Sequence, residues 1–300
     1  MHVLSVSSLK GGVGKTTVAL GLASAALNKG LNTLLIDLDP QSDATSGLAV
    51  VSEFGASVAD VLQNPKLPVI RRAIVTSNWS KASRMDVLVG SPKSLMLDNP
   101  APSLTDVWKL EEVLTQLEDE YDIVIIDTPP SINALTRTAW VASDRVLLVT
   151  EPSLYSVIAA DRARKAIDEI SAKITPRLEL LGLVVNRFRP QSTEHEFRLK
   201  ELREMFGEQI MHPYFEERAA IQQATGAARP IHSWPAEGAA EIARGFDWIL
   251  SSALSDMERI QQKRDKGPAV DMATRGESHA LAEIVSEQNP KKKKRRFFRR

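Results

Sequence analysis

Short apolar stretches rich in β-branched residues alternate along the chain with segments whose apolar residues recur every three or four positions. This alternation is typical of a parallel sheet covered by helices on both faces. Several stretches are apolar throughout, as buried parallel strands tend to be. The pattern predicts strands at 3–7, 33–36, 87–89, 123–126, 146–149 and 181–185. It predicts helices at 16–28, 104–117, 133–142, 157–174, 194–206 and 239–254.

The same pattern of apolar and polar residues indicates where the folded domain ends and which region within it is irregular. Residues 53–102 are rich in Pro, Ser and Asn, which predicts irregular structure with short helices at most. The apolar periodicity fades after about residue 256. We therefore expect an α/β domain over 1–255, a flexible linker over 256–290 with a transient helix at 281–285, and a polybasic tail over 291–300.

Composition narrows the class of protein. A hydrophobic fraction of 43% with 25% charged residues is that of a soluble globular protein. Cysteine is absent, which excludes disulfides, thiolate metal sites, iron–sulfur clusters and cysteine nucleophiles. The sequence has neither a membrane-spanning apolar run nor a secretory signal pattern. We expect a cytoplasmic protein.

The charge is unevenly distributed. The last ten residues, KKKKRRFFRR, hold eight of the 38 basic residues and no acid, so the rest of the chain carries 30 basic against 38 acidic residues. Such a block acts as an element of its own. It can bind a phosphate backbone by counterion release, bind anionic lipid, or remain a solvated terminus. It has no apolar stripe at helical spacing, which disfavours an amphipathic membrane helix.

The stretch SSLKGGVGKTT lies between the first predicted strand and the first predicted helix. Backbone N–H groups freed by Gly11, Gly12 and Gly14 can converge on phosphate oxygens at a helix N-terminus. Lys15 then reaches the β and γ phosphates, and the Thr16 hydroxyl binds Mg²⁺. The alternative is a glycine-rich turn with no ligand.

This loop departs from the general G-x-x-x-x-G-K-[ST] form, because Leu9 occupies the first glycine position and Lys10 follows it. KGGVGKTT resembles the deviant Walker A motif of the ParA/MinD family of partition and positioning ATPases. The resemblance implies an α/β P-loop NTPase fold with a mostly parallel twisted sheet, ATP and Mg²⁺ as cofactors, and Val13 and Thr17 in the nucleotide-binding loop. It also implies that Lys10 reaches the phosphates of a second subunit in an ATP-dependent homodimer. The alternative for Lys10 is a solvated loop lysine.

Acidic residues end two predicted strands. In LLIDLDPQSDAT, Asp37 can accept from Mg²⁺-bound water, and Asp39 can orient an attacking water. The segment resembles the family's DxDPQ motif, whose second aspartate is hydrolytic, so Lys10, Lys15 and Asp39 form the expected catalytic set. In YDIVIIDTPPS, Asp127 has the place of a Walker B aspartate that holds Mg²⁺ through water. The alternative for Asp39 is an ordinary Asp-Pro turn, and the alternative for Asp127 is a cap at the end of a strand.

Two further predictions concern the C-terminal half. Asn186 ends the strand LVVNRF, and the resemblance implies that its amide pairs with the adenine edge; a turn former is the alternative. Partition ATPases of this type bind DNA without sequence preference through scattered basic residues. Arg187, Arg189 and Arg218 lie in the corresponding part of this chain. The resemblance aligns Arg218 with a DNA-contacting arginine of the family and places Arg189 near another, and solvated or salt-bridged arginines are the alternative.

Three functions fit these observations. The first is a nucleoid-associated ParA-like ATPase of weak intrinsic activity that closes as a dimer around ATP, binds non-specific DNA and is stimulated by a ParB-like adaptor. The second is a MinD-like positioning ATPase on a membrane surface, reached through the basic tail. The third is a metabolic P-loop ligase or kinase, for which Lys10 has no evident use.

Overall fold

The computed structural model describes residues 1–53 and 55–266. It divides into two compact units, Met1–Met257 and Glu258–Arg300. The polybasic tail, the predicted helix at 281–285 and most of the predicted linker lie outside the described residues. Within the described part, no helix combines the length and the apolar character that crossing a bilayer requires.

A seven-stranded sheet with the strand order β3-β4-β2-β5-β1-β6-β7 forms the centre of the first unit. Every pairing is parallel except that of β3 with β4. The strands are β1 His2–Ser7, β2 Thr33–Asp37, β3 Ile74–Thr76, β4 Met85–Leu88, β5 Ile123–Asp127, β6 Arg145–Thr150 and β7 Glu179–Val185. The predicted α/β fold class is thereby confirmed.

Helices cover both faces of this sheet, because each face of the buried strands carries apolar side chains that need a second layer. The α-helices in the described ranges are α1 Lys15–Asn28, α2 Asp43–Gly47, α3 Val58–Gln63, α4 Leu67–Ala73, α5 Leu104–Thr115, α6 Ala134–Val141, α7 Leu154–Lys173, α8 Thr193–Phe206, α9 Ala219–Gly226 and α10 Ala239–Lys266. Short 3-10 helices occur at Pro92–Leu97, Gly207–Gln209 and Ile231–Ser233.

The structure differs from the sequence prediction in several places, of which three are the most informative. Strand β3 lies in the region expected to be irregular, and it was missed because three residues are too short to show a period. Helix α9 was also not predicted. Helix α10 continues to Lys266 rather than ending at residue 254. Its last segment, ERIQQKRDK, has no apolar period, but Glu, Arg, Gln and Lys are good helix formers.

The topology determines where a ligand can bind. From β1 the chain first builds one side of the sheet and later the other, so β1 lies at the point where the winding reverses. In open α/β sheets, ligands bind outside the carboxyl ends of the strands at such a point. The segments that follow β1, β2, β5, β6 and β7 meet at this edge, and they contain most of the predicted site residues.

Candidate functional site

The glycine-rich loop leaves β1 at Ser7 and enters α1 at Lys15. Gly12 and Gly14 have φ angles of 78° and 95°, in the left-handed region that favours glycine. Gly14 caps α1 without any side-chain bond, and the first turn of α1 carries no acidic residue. Gly11 is exposed, Thr16 and Thr17 are half-buried, and Val13 and Lys15 are buried. The loop therefore presents backbone N–H groups and a buried cation at a helix N-terminus, as an anion-binding site requires.

Asn186, at the end of β7, contacts this loop directly. Its Nδ2 donates a hydrogen bond of 2.7 Å to the carbonyl oxygen of Val13. A Cβ atom added to Gly14 would lie 2.2 Å from the same Nδ2. Asn186 thus braces the phosphate loop, and the approach is so close that residue 14 has no room for a side chain. Its predicted contact with adenine remains a prediction, since the bond to Val13 uses only one of the two Nδ2 hydrogens.

Two buried carboxylates face each other across neighbouring strands. Asp37 on β2 is the register partner of Asp127 on β5, and both are fully buried. The hydroxyl of Thr16 donates to Asp127 Oδ2 at 2.6 Å. The Oδ1 atoms of Asp37 and Asp127 are buried and have no hydrogen-bond partner within the described structure. Two uncompensated carboxylate oxygens beside a threonine hydroxyl form a donor set that suits a hard cation such as Mg²⁺.

The pKa values of Asp37 and Asp127 are both shifted in the direction expected for two buried, neighbouring carboxylates. Burial raises the pKa of Asp127, and the nearby Asp37 carboxylate raises it further. Burial also raises the pKa of Asp37, although hydrogen bonds from Thr45 act in the opposite direction. Both shifts show that negative charge is poorly compensated here. A bound cation would supply the missing compensation.

Thr45 and Gly90 support Asp37, and the sequence analysis missed both. Asp37 Oδ2 accepts the Thr45 backbone N–H at 2.8 Å and the Thr45 hydroxyl at 2.7 Å. The Gly90 N–H in turn donates to the Thr45 hydroxyl at 2.9 Å. A Cβ atom at Gly90 would lie 2.7 Å from the Asp37 carboxylate, so the chain must lack a side chain there. No motif indicated these contacts, which depend on the packing of β4 beside β2.

Asp39 lies at the start of the loop after β2. Its Oδ1 accepts the backbone N–H of Gln41 at 3.0 Å, and the residue is 8% exposed. Burial raises the pKa of Asp39, while the charge of Lys15 lowers it. The carboxylate therefore lies within electrostatic reach of the phosphate loop. Its role in orienting water remains a prediction.

Lys10 forms an ion pair with Glu151, which follows β6 directly. Its Nζ also donates to the Ser153 hydroxyl at 3.1 Å. Lys10 is therefore neither a free solvated lysine nor directed into its own loop. Glu151 was missed, although an acid at the carboxyl end of an apolar strand is the same signal that identified Asp127.

The candidate DNA-binding arginines form ion pairs with neighbouring glutamates. Hydrogen bonding between Phe188 and Phe215 aligns the segment that contains Arg189 with the segment that precedes Arg218. Arg189 pairs with Glu217 at 3.4 Å, and Arg218 pairs with Glu216 at 3.0 Å and approaches Glu241 at 3.9 Å. Arg187 has a left-handed φ of 54°. The arginines are partly neutralised, but such exposed ion pairs contribute only about 0–1 kcal/mol and exchange readily for other anions.

Comparison with known proteins places this site in a family. A family model described as an AAA domain matches residues 1–180. The chromosome-partitioning ATPase Soj of Thermus thermophilus is 31% identical over 250 residues, which cover 83% of this chain and 95% of Soj. The chromosome partitioning protein ParA of Caulobacter vibrioides is 27% identical, over 77% of this chain and 86% of that protein.

Solved structures show the same fold. A Cyanothece McdA–ATP complex superimposes with a TM-score of 0.74 at 22% identity, covering 85% of this chain and 96% of that one. A putative plasmid partition protein from Borrelia burgdorferi bound to AMPPNP gives a TM-score of 0.69 at 21% identity, covering 85% and 99%. Cobyrinic acid a,c-diamide synthase from Mycobacterium smegmatis also has this fold, with a TM-score of 0.68 at 24% identity. The fold alone therefore does not distinguish a partition ATPase from a synthase of this kind.

The fold, the glycine-rich loop and the carboxylates beside it define a P-loop NTPase with the deviant form of the Walker A motif. Within that class, the extent of the match to Soj assigns the family. The chain belongs to the ParA/Soj family of partition ATPases.

Proposed function

We propose that this protein is an ATPase that moves or positions DNA or another cargo in the manner of ParA. The observation that carries this proposal is the convergence of Lys15, Thr16, Asp37 and Asp127 beside a phosphate loop that contains a second lysine, Lys10. The first four residues fit a magnesium nucleotide, and a simple ligase or kinase has no evident use for the fifth.

Each residue of the site has a distinct task in this proposal. The Mg²⁺ and the triphosphate would supply charge neutralisation and the bond to be hydrolysed. Lys15 and the loop N–H groups bind the phosphates, and Thr16, Asp37 and Asp127 hold the metal and its water. Asp39 orients the attacking water. Asn186 keeps the loop in shape through Val13 and presents its remaining amide atoms to the base.

The dimer depends on Lys10. In this chain the Lys10 ammonium is bound to Glu151 and Ser153. These contacts must break before Lys10 can bind the phosphates held by a second subunit. Their opening couples ATP binding to assembly. Because this exchange precedes hydrolysis, intrinsic turnover is slow and a ParB-like adaptor can control it.

Non-specific DNA is the proposed surface to which the dimer binds, which gives a nucleoid-associated protein in the cytoplasm. Arg189 and Arg218 contribute through exposed ion pairs that phosphates can displace. The polybasic tail at 291–300 adds affinity, the part of the predicted linker that follows α10 connects it, and residues 1–255 form the ATPase domain. A MinD-like attachment of the tail to anionic lipid is the competing proposal.

One experiment separates these functions. The full-length protein is sedimented with a DNA duplex and with vesicles of phosphatidylglycerol and phosphatidylcholine, each with ATP, ADP or no nucleotide, and phosphate release is measured in parallel. A ParA-like protein hydrolyses ATP slowly and co-sediments with DNA when ATP is present. ATP-dependent binding to vesicles alone supports the MinD-like function, and ATP consumption that requires a small-molecule co-substrate supports a ligase.

A further inference from the structure

Asp98 receives hydrogen bonds from the segment that joins β5 to α6. Its Oδ2 accepts from the hydroxyl of Ser131 at 3.3 Å and from Nδ2 of Asn133 at 3.1 Å. Its Oδ1 accepts from the backbone N–H of Leu135 at 3.1 Å. One half-buried carboxylate thus binds three residues of the chain that follows Asp127.

These hydrogen bonds cap the N-terminus of α6, which lacks a side-chain cap of its own. Asn133 is the N-cap residue of α6, but its side chain makes no capping hydrogen bond. The carboxylate of Asp98 takes that place, and the carbonyl of Asn99 accepts the Ala134 N–H at 2.9 Å. A negative charge at a helix N-terminus is favourable. The start of α6 is therefore fixed by residues from a different part of the chain.

The segment that contains Asp98 also reaches the other carboxylate of the site. It begins at Gly90, whose N–H bonds to Thr45, and Thr45 holds Asp37. At its other end, Asp98 bonds to Ser131, Asn133 and Leu135. Residues 90–98 thus connect the support of Asp37 to the loop that follows Asp127.

We propose that Asp98 is a positioning residue for ATP hydrolysis, because it anchors the loop 128–133 that connects Asp127 to α6. The proposal rests on the proposed function. On the β5 side, the loop is anchored by Thr128, whose hydroxyl bonds to that of Ser7 at 2.9 Å. On the α6 side, Asp98 contributes three hydrogen bonds, and α6 itself adds those of the Thr136 hydroxyl to the Pro129 carbonyl at 3.2 Å and of Arg137 Nε to the Ile132 carbonyl at 3.0 Å. Without Asp98, the loop and the first turn of α6 gain freedom, and the chain that follows Asp127 is held less firmly.

The test compares Asp98→Ala and Asp98→Asn with Asp106→Ala in the full-length protein. Asp106 is a matched control, because it caps α5 through a capping box with Ser103 and belongs to no part of the site. Hydrogen exchange is measured without nucleotide, and kcat and ATP affinity are measured separately at a temperature where all variants are folded.

We expect faster exchange at 131–135 in Asp98→Ala and roughly a tenfold or greater loss of kcat, with ATP affinity within about threefold of wild type, because small displacements near reacting groups strongly reduce turnover. Asp98→Asn keeps one acceptor oxygen and should recover part of kcat. Asp106→Ala should change exchange only at the start of α5 and leave kcat unaltered.

If residues 131–135 of Asp98→Ala exchange at the same rate as in the wild-type protein, Asp98 does not anchor the loop. An unaltered kcat, or an equal loss of kcat in Asp106→Ala, would overturn the positioning role. A wild-type protein that hydrolyses no ATP would overturn the proposed function instead, and the exchange measurement would still decide whether Asp98 anchors the loop.

Discussion

The ammonium group of Lys10 is held by the carboxylate of Glu151, in the same chain and 141 residues away. The side chains are 33% and 23% exposed, so the pair lies near the surface and can open without burying an unpaired charge. Under the proposed function, in which Lys10 acts on a second subunit, Glu151 is the partner of Lys10 before the dimer forms. The strength of this pair should influence how readily the dimer forms.

Glu151→Gln should shift dimerisation to lower nucleotide concentration. The substitution keeps the size of the side chain but removes the charge that competes with phosphate for Lys10. Since an exposed ion pair contributes up to about 1 kcal/mol, the midpoint for AMPPNP-dependent dimerisation should fall by roughly two- to fivefold. Light scattering across a nucleotide titration measures this. Glu169→Gln, which breaks the exposed pair with Lys173 on α7, is the matched control, and equal midpoints in both variants would contradict the prediction.

The two lysines of the loop should behave differently when each is replaced by alanine. Lys15 is buried at the N-terminus of α1, so Lys15→Ala should abolish nucleotide binding. Lys10→Ala should retain ATP binding and lose dimerisation and hydrolysis, because Lys10 does not face its own loop. Calorimetry with ATP and light scattering separate the two losses. An equal loss of ATP affinity in both variants would refute a role for Lys10 across the dimer.

Asp39→Ala should trap the ATP-bound dimer. Removing a carboxylate that orients water should lower turnover by about 10²-fold or more and leave binding intact. Phosphate release and nucleotide retention on a desalting column report the two properties. Asp43→Ala, which removes a neighbouring exposed acid, is the control. Normal turnover in Asp39→Ala would end the assignment.

Gly14→Ala should destabilise the nucleotide-free protein, whereas Gly11→Ala should not. A Cβ atom at residue 14 would meet Asn186 Nδ2 at 2.2 Å on a backbone with φ of 95°, but a Cβ atom at residue 11 has nothing within 4 Å. We expect a loss of about 1–3 kcal/mol for Gly14→Ala and less than about 0.5 kcal/mol for Gly11→Ala. Urea unfolding measures both. Adding Asn186→Ala to Gly14→Ala should recover part of the loss, and strict additivity would contradict the contact.

Deleting Lys291–Arg300 should reduce the salt dependence of DNA binding without removing its dependence on ATP. Each phosphate neutralised contributes about 0.9 to the slope of log K against log[salt], so removing eight charges should flatten it by several units. Arg218→Glu should instead abolish the ATP-dependent component of DNA binding. Titrations at several salt concentrations, on DNA and on anionic vesicles, compare the two. An unchanged slope together with lost vesicle binding would favour attachment to lipid.

The sequence was sufficient to predict the fold class, and contiguous motifs at strand ends indicated where site residues should be sought. Thr16, Asp37 and Asp127 lie together at the strand ends that these motifs indicated, while their roles remain predictions. The partners of these groups could not be predicted. Whether Asn186 bonds to Val13 depends on the distance between segments 173 residues apart, which no local pattern encodes.

The missed residues share that cause. Gly90 and Thr45 support Asp37 only because β4 packs beside β2, and a glycine after a strand has many ordinary explanations. Glu151 differs, because it directly follows an apolar strand, and this pattern of strand and acid could have been recognised at β6 as it was at β5. Assigning a role to every polar residue at the carboxyl end of a predicted parallel strand would have found it.

The opposed carboxylates of Asp37 and Asp127 also have a consequence for the lifetime of the protein in a cell. Uncompensated buried charge lowers the stability of the nucleotide-free fold, and a ligand that binds only the folded state restores it by mass action. Chains that have lost Mg²⁺ and nucleotide should open more often and be degraded faster by proteases. The abundance of the protein would then follow the energy supply of the cell, without a separate sensor.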